Sequence, residues 1–160
     1  MRGMSNRTKA LLAPGDGTTK IIQAINRLPF GYVGLAGERA SGYAPVFANT
    51  WEAITFTPTL DLDGMFDTPA STATVPDGCD GVWVAVLTGS VSSSTGLFQV
   101  LVNGVAAVTF TLSTTARSLI SLPFQVPANA RLAFEYQASL TSITLVGGAQ
   151  LSFHRLGLAP

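Results

Sequence analysis

The sequence predicts an all-β chain, an antiparallel sandwich or barrel, preceded by a short N-terminal arm containing one helix. Three observations predict it. From Trp51 onward, short runs rich in Val, Ile, Thr and aromatics recur at regular spacing, separated by Gly, Pro, Asn and Asp. One pair of runs flanks Asn103-Gly104, a two-residue sequence suited to a tight hairpin because both central positions need positive φ. Charge also divides along the chain: Met1 to Arg39 carries six basic residues against two acidic ones, net +4, and Ala40 to Pro160 carries three against seven, net −4.

The arm comes first. Met1 to Lys9 is polar and basic without periodicity. Pro14, Gly15 and Gly17 mark a turn, and Asp16 or Thr18 can cap a helix near residues 18–28. Ile21, Ile22, Ile25 and Leu28 fall on one face at helical spacing, and Pro29 ends the run. A helix of about ten residues is not stable alone in water, so its apolar stripe must dock on something. The expected anchoring residues are Arg2, Arg7, Lys9, Lys20, Ile21, Ile25 and Leu28. Gly31, Gly34, Gly37 and Gly42 punctuate an extended linker, and the domains divide as 1–39 (arm) and 40–160 (body).

The body reads as strands. Trp51 to Thr57 begins them, Asp61 to Asp67 and Pro76 to Gly81 are turns, and Val82 to Leu87 is a continuous apolar run suited to a central strand. Gly89 to Gly96 is a Ser-rich loop. Leu97 to Val102 and Val105 to Leu112 form the hairpin, followed by strands at Leu119 to Val126, Arg131 to Tyr136, Leu140 to Val146 and Ala149 to Leu156. Pro123 inside its run marks an edge or a bulge.

Composition narrows function. Hydrophobic residues are 47% of 160 and charged residues only 11%, against about 25% in an average soluble domain. Burial of part of the surface against sister copies accounts for that shortage. No apolar run approaches the ~20 residues of a spanning helix. No signal peptide is evident, so the expectation is a protein made in the cytoplasm. The single Cys79 excludes an internal disulfide framework and reads as a core or loop residue.

The body's motifs, taken in order, resemble the C1q/tumour-necrosis-factor-like jelly roll. Trp51-Glu52-Ala53-Ile54-Thr55-Phe56 is similar to its early aromatic strand. Asp63-Gly64-Met65-Phe66-Asp67 is similar to its Gly-Phe turn, and Val75-Pro76-Asp77-Gly78 with Val82-Trp83-Val84 to its Pro-x-Gly turn and aromatic strand. Leu101-Val102-Asn103-Gly104 resembles the central hairpin, and Gly148 to Leu156 the terminal strand. Pro127-Ala128-Asn129-Ala130 departs from the Gly-Asp usual in that family's late turn.

The resemblance implies an antiparallel jelly-roll sandwich and a homotrimer packed through one sheet, with Leu97 and Leu101 as interface candidates. Without a collagen stalk or secretion signal, arm plus jelly roll is similar to bacteriophage virion proteins of this fold. The expected function is a trimeric capsid decoration (cement) protein anchored by its arm. The alternative is a trimeric fibre or tail knob binding a host receptor or glycan. Expected partners are sister copies and the major capsid protein or another virion protein, with no membrane and no nucleic acid.

Enzymatic motifs are missing. There is no Gly-x-Ser-x-Gly elbow or phosphate loop, and Gly15-Asp16-Gly17-Thr18-Thr19-Lys20 lacks the final glycine of a dinucleotide fingerprint. No catalytic residue or cofactor is expected. His154 reads as a surface or interface residue, and Trp51 and Trp83 as core. No metal is expected either. Asp61, Asp63 and Asp67, in an Asp-x-Asp-Gly-x-x-Asp spacing, are the residues that would hold calcium if any did.

Overall fold

The computed structural model describes residues 34–157, apart from 62, 68 and 69. They form β1 (Gly34–Arg39), β2 (Glu52–Ala53), β3 (Thr57–Leu60), β4 (Thr72–Thr74), β5 (Gly81–Gly89), β6 (Gly96–Val102), β7 (Val105–Leu112), β8 (Arg117–Ile120), β9 (Phe124–Val126), β10 (Arg131–Ala138) and β11 (Ala149–Gly157). Two antiparallel sheets result. The six-stranded sheet runs β3-β1-β11-β5-β8, with β9 also on β5; the five-stranded sheet runs β2-β10-β6-β7, with β4 also on β10. Most neighbours in space are not neighbours in sequence, which is the crossing pattern of a jelly roll.

Period-two alternation builds the core. In β10, Leu132, Phe134, Tyr136 and Ala138 are buried, while Ala133, Glu135 and Gln137 alternate with them on the other face. In β5, Trp83, Ala85 and Leu87 point inward. Phe134 stacks on Phe153 across the sandwich at 5.6 Å, and Phe56 meets Phe98 edge-on at 6.0 Å. Burying each such large side chain contributes about 1.5–3 kcal/mol. The Trp83 indole N–H donates to the Cys79 carbonyl, and Cys79 is itself buried. Trp83 is therefore core, as expected, whereas Trp51 is only half-buried.

The hairpin forms where the sequence predicts it, with Asn103 at φ 52 and Gly104 at φ 81 between β6 and β7. The expected strand at Leu119 to Val126 is two strands, β8 and β9, separated around Pro123. Three expectations differ. The segment read as a linker contains β1, which lies between β3 and β11 inside the six-stranded sheet. Its two glycines and one large apolar residue, Leu35, hide it from propensity. The run Leu140 to Val146 is not a strand but a turn-rich loop held by isolated bridges from Leu145 to Tyr43 and Val91. Only Ile143 and Leu145 of that run are fully buried. The Trp51-to-Thr57 strand resolves into the short β2 and the start of β3. The helix expected near 18–28 lies outside the described residues.

Candidate assembly surface

A sheet in a sandwich has an inner face that fills the core and an outer face that does not. On the six-stranded sheet, register places the outward residues in rows. Gly34, His154 and Val84 form one row, Ala36, Ser152, Val86 and Ile120 the next, and Glu38, Gln150, Thr88 and Ser118 a third. Val82 extends the β5 stripe. The apolar part of this face is the β5 stripe Val82, Val84 and Val86, separated from Ala36 on β1 by the hydrogen-bonded Ser152 and His154 of β11. Ile120, 72% exposed, and Leu122, 85% exposed, stand at its β8 edge. The ionisable groups in these rows are His154 and Glu38. A shallow groove of about 240 Å³ crosses the polar half, lined by Glu38, Thr59, Val86, Thr88, Gln150 and Ser152.

The outer face of the five-stranded sheet is different. Leu97 and Leu101, the interface candidates from sequence, lie there half-buried, with Gln99 between them. Gln99 donates to the Glu135 carboxylate at 2.6 Å, so a polar pair interrupts the apolar row. Leu97 sits between Thr111 and Gln137, and Leu101 between Ala106 and Ala133. The stripe on β5 was legible in Val82 to Leu87, whose residues are apolar at both parities. Its outward half stays partly exposed in the single subunit.

All aspartates among the described residues lie in the β3–β4 and β4–β5 loops. Those named as calcium candidates are occupied within the chain. Asp61 accepts from the Met65 and Phe66 N–H groups, and Asp67 accepts from the Thr72 and Thr74 hydroxyls. Among the described residues no three His, Cys, Asp or Glu side chains converge as a metal cage. The β4–β5 loop belongs to the end where the described chain begins, since Gly34 and Gly81 lie at the same end of their sheet.

At the opposite end, the carboxylate of Glu52 organises the β1–β2 loop. It accepts from the Tyr43 hydroxyl at 2.6 Å and from the Val46 and Phe47 N–H groups at 2.9 and 2.6 Å. These bonds hold the Glu52 carboxyl below its ordinary range. Burial, with Glu52 beside it, pushes the Tyr43 hydroxyl up to about 12. Arg39 lies over the Tyr43 ring at 5.1 Å and donates to Thr55, with its Nε buried and unbonded. Sequence inspection did not single out this cluster, because its members are distant until β1 and β2 place them together.

His154 lies 3.0 Å from the Ser152 hydroxyl, two residues apart on the outward face of β11. The anchoring residues Arg2, Arg7, Lys9, Lys20, Ile21, Ile25 and Leu28 lie outside the described residues.

Strand order and register define the class, an antiparallel jelly-roll sandwich, similar in fold to C1q/tumour-necrosis-factor-like domains. Solved structures of that type align with most of the chain. Murine APRIL matches at a TM-score of 0.53 and 11% identity, over 78% of this chain and 99% of its own. The PRD1 vertex protein P5 matches at 0.56 and 12%, over 78% and 96%. The globular domain of zebrafish complement 1qA matches at 0.56 and 13%, over 78% and 97%. No family model matches the chain, and no curated protein does.

Proposed function

We propose that this chain is a homotrimeric, non-enzymatic structural protein of a bacteriophage virion, a capsid decoration protein made in the host cytoplasm. Its jelly-roll head would stand on the shell and its basic arm would grip a capsid protein. The observation that carries this reading is the outward face of the six-stranded sheet. The apolar β5 stripe of Val82, Val84 and Val86, edged by the exposed Ile120 and Leu122, suits a sister subunit better than water, with the polar Ser152 and His154 beside it. The likeness of fold to a vertex protein supports placing it in a virion.

One observation supports the non-enzymatic part. Ser152 and His154 are paired, but β11 is hydrogen-bonded to β1 on one side and β5 on the other. The ladder therefore uses the backbone N–H groups around Ser152, so this pair has no backbone oxyanion hole beside it.

The test is mass by light scattering on the full chain beside Ile120→Lys and Val84→Lys. The wild type should be three copies and the variants smaller, each keeping a cooperative melt. Deleting Met1 to Lys9 should abolish attachment to the particle and leave the trimer intact. A truncated chain that still attached would remove the arm from the account.

A further inference from the structure

Leu156 is 60% exposed although β11, its strand, is paired on both sides. The ladder with β5 matches Arg155 to Trp83 and Gly157 to Val82, so a bulge leaves Leu156 without an opposite residue. A bulge re-aims a side chain. Here it leaves a leucine open to water next to Val82, the first residue of the β5 stripe.

The arm joins the head at the same place. β1 begins at Gly34, which pairs with His154, two residues before Leu156. Among the described residues, Leu156 is the one exposed large apolar side chain on a strand paired with β1. Ile21, Ile22, Ile25 and Leu28 share one side at helical spacing. Six residue steps separate Leu28 from Gly34, a reach of at most about 20 Å when fully extended. Neighbouring strands lie about 4.8 Å apart, so the β5 stripe is about 10 Å from Gly34. The tether therefore confines Leu28 to the neighbourhood of Leu156 and Val82, whatever path the arm takes. Charge agrees with this placement. Lys20 and Arg27, seven residues apart, fall on one flank of the same segment, and the β4–β5 loop at this end carries Asp77 and Asp80.

We propose that residues 21–28 of the arm fold back onto their own head, with Ile25 and Leu28 seated on Leu156 and Val82. The segment's apolar side and the open leucine then cover each other. A short tether supplies an effective concentration of about millimolar, more than a free partner protein brings. The stretch Met1 to Lys9 is left to reach a partner and emerges from the Gly34 end of the sandwich. The docked segment lies beside the sister contact, not in place of it, and the inference does not depend on the trimer.

The test is limited trypsin digestion of the full chain, followed by mass spectrometry at Arg27 and Arg7. Cleavage tracks the undocked fraction, so Arg27 should be cut about tenfold or more slowly than in Leu156→Ser, while Arg7 is cut equally in both. Melting temperature should be the same in the two chains. A second full chain, carrying Leu28→Cys and Leu156→Cys, is treated with a short bifunctional thiol reagent and should gain a link within one chain. Three results overturn the proposal: Arg27 cut as fast in the wild type as in Leu156→Ser, a link that joins two chains, or no link. Light scattering on the same samples reports the trimer separately: a monomer with Arg27 protected would leave this docking standing.

Discussion

The Tyr43 hydroxyl donates a 2.6 Å hydrogen bond to the Glu52 carboxylate, joining the loop after β1 to the first residue of β2. The same carboxylate holds the Val46 and Phe47 amides, so one acidic group sets the shape of the far-end loop. Because Glu52 is held below its ordinary range, its contribution is complete above the normal glutamate value of about 4.3 and disappears as pH falls through the depressed one. In an NMR titration, the Val46 and Phe47 amide resonances should hold position through the ordinary range and move only at lower pH. Glu52→Ala should speed exchange of these two amides at neutral pH and leave the β10 amides unchanged.

Alkaline pH acts through two phenols. Tyr43 and Tyr136 are both pushed up to about 12, burial being the largest cause for each. Unfolded tyrosines release their protons near 10, so stability is complete below about pH 10 and is lost as pH rises toward 12. Urea midpoints measured across that window should fall. Tyr136→Phe should remove part of the slope. At neutral pH it should cost about 1–2 kcal/mol, because the buried Tyr136 hydroxyl donates to the Ile143 carbonyl at 3.0 Å.

Gly96, at the start of β6, faces that same phenol. A Cβ there would sit 2.6 Å from the Tyr136 hydroxyl oxygen and 2.8 Å from Val91 Cγ1. Gly96→Ala should therefore destabilise the fold by about 1–3 kcal/mol, as overpacking does. Combined with Tyr136→Phe, it should cost less than the sum of the two, since one of the clashing atoms is gone. Equilibrium unfolding of the four chains measures this coupling.

Much of the architecture was legible in the residues, for reasons that differ by element. Asn103-Gly104 announces its hairpin because few sequences tolerate two positive φ values in succession. The alternation Leu132, Phe134, Tyr136 shows its inward face because each outward neighbour is polar or small. β1 was not legible, since Gly34 and Gly37 lower its strand propensity and the pairing that holds it comes from β11, over a hundred residues later. Leu140 to Val146 misled in the opposite direction: its apolar residues look like a strand, yet Leu140 and Val146 stand exposed on a loop. The outward stripe on β5 was visible only as a continuous apolar run, and which sheet carries it is a property of topology. The Glu52 cluster depends on contacts that no spacing rule encodes.

Calcium should have no effect on the head. Asp61 and Asp67 already serve as acceptors for backbone amides and threonine hydroxyls, so a cation would have to displace those bonds. Melting temperatures in calcium and in chelator should coincide. A rise on adding calcium would restore Asp61, Asp63 and Asp67 as ligands.

The apolar platform of Val82, Val84 and Val86 has its simplest explanation in a covering sister subunit. Light scattering of the purified full chain across a concentration series measures this directly. Three copies per particle, reduced by Ile120→Lys without loss of the melt, is the predicted result. A monomer that persists, well behaved, at the highest concentration would contradict it.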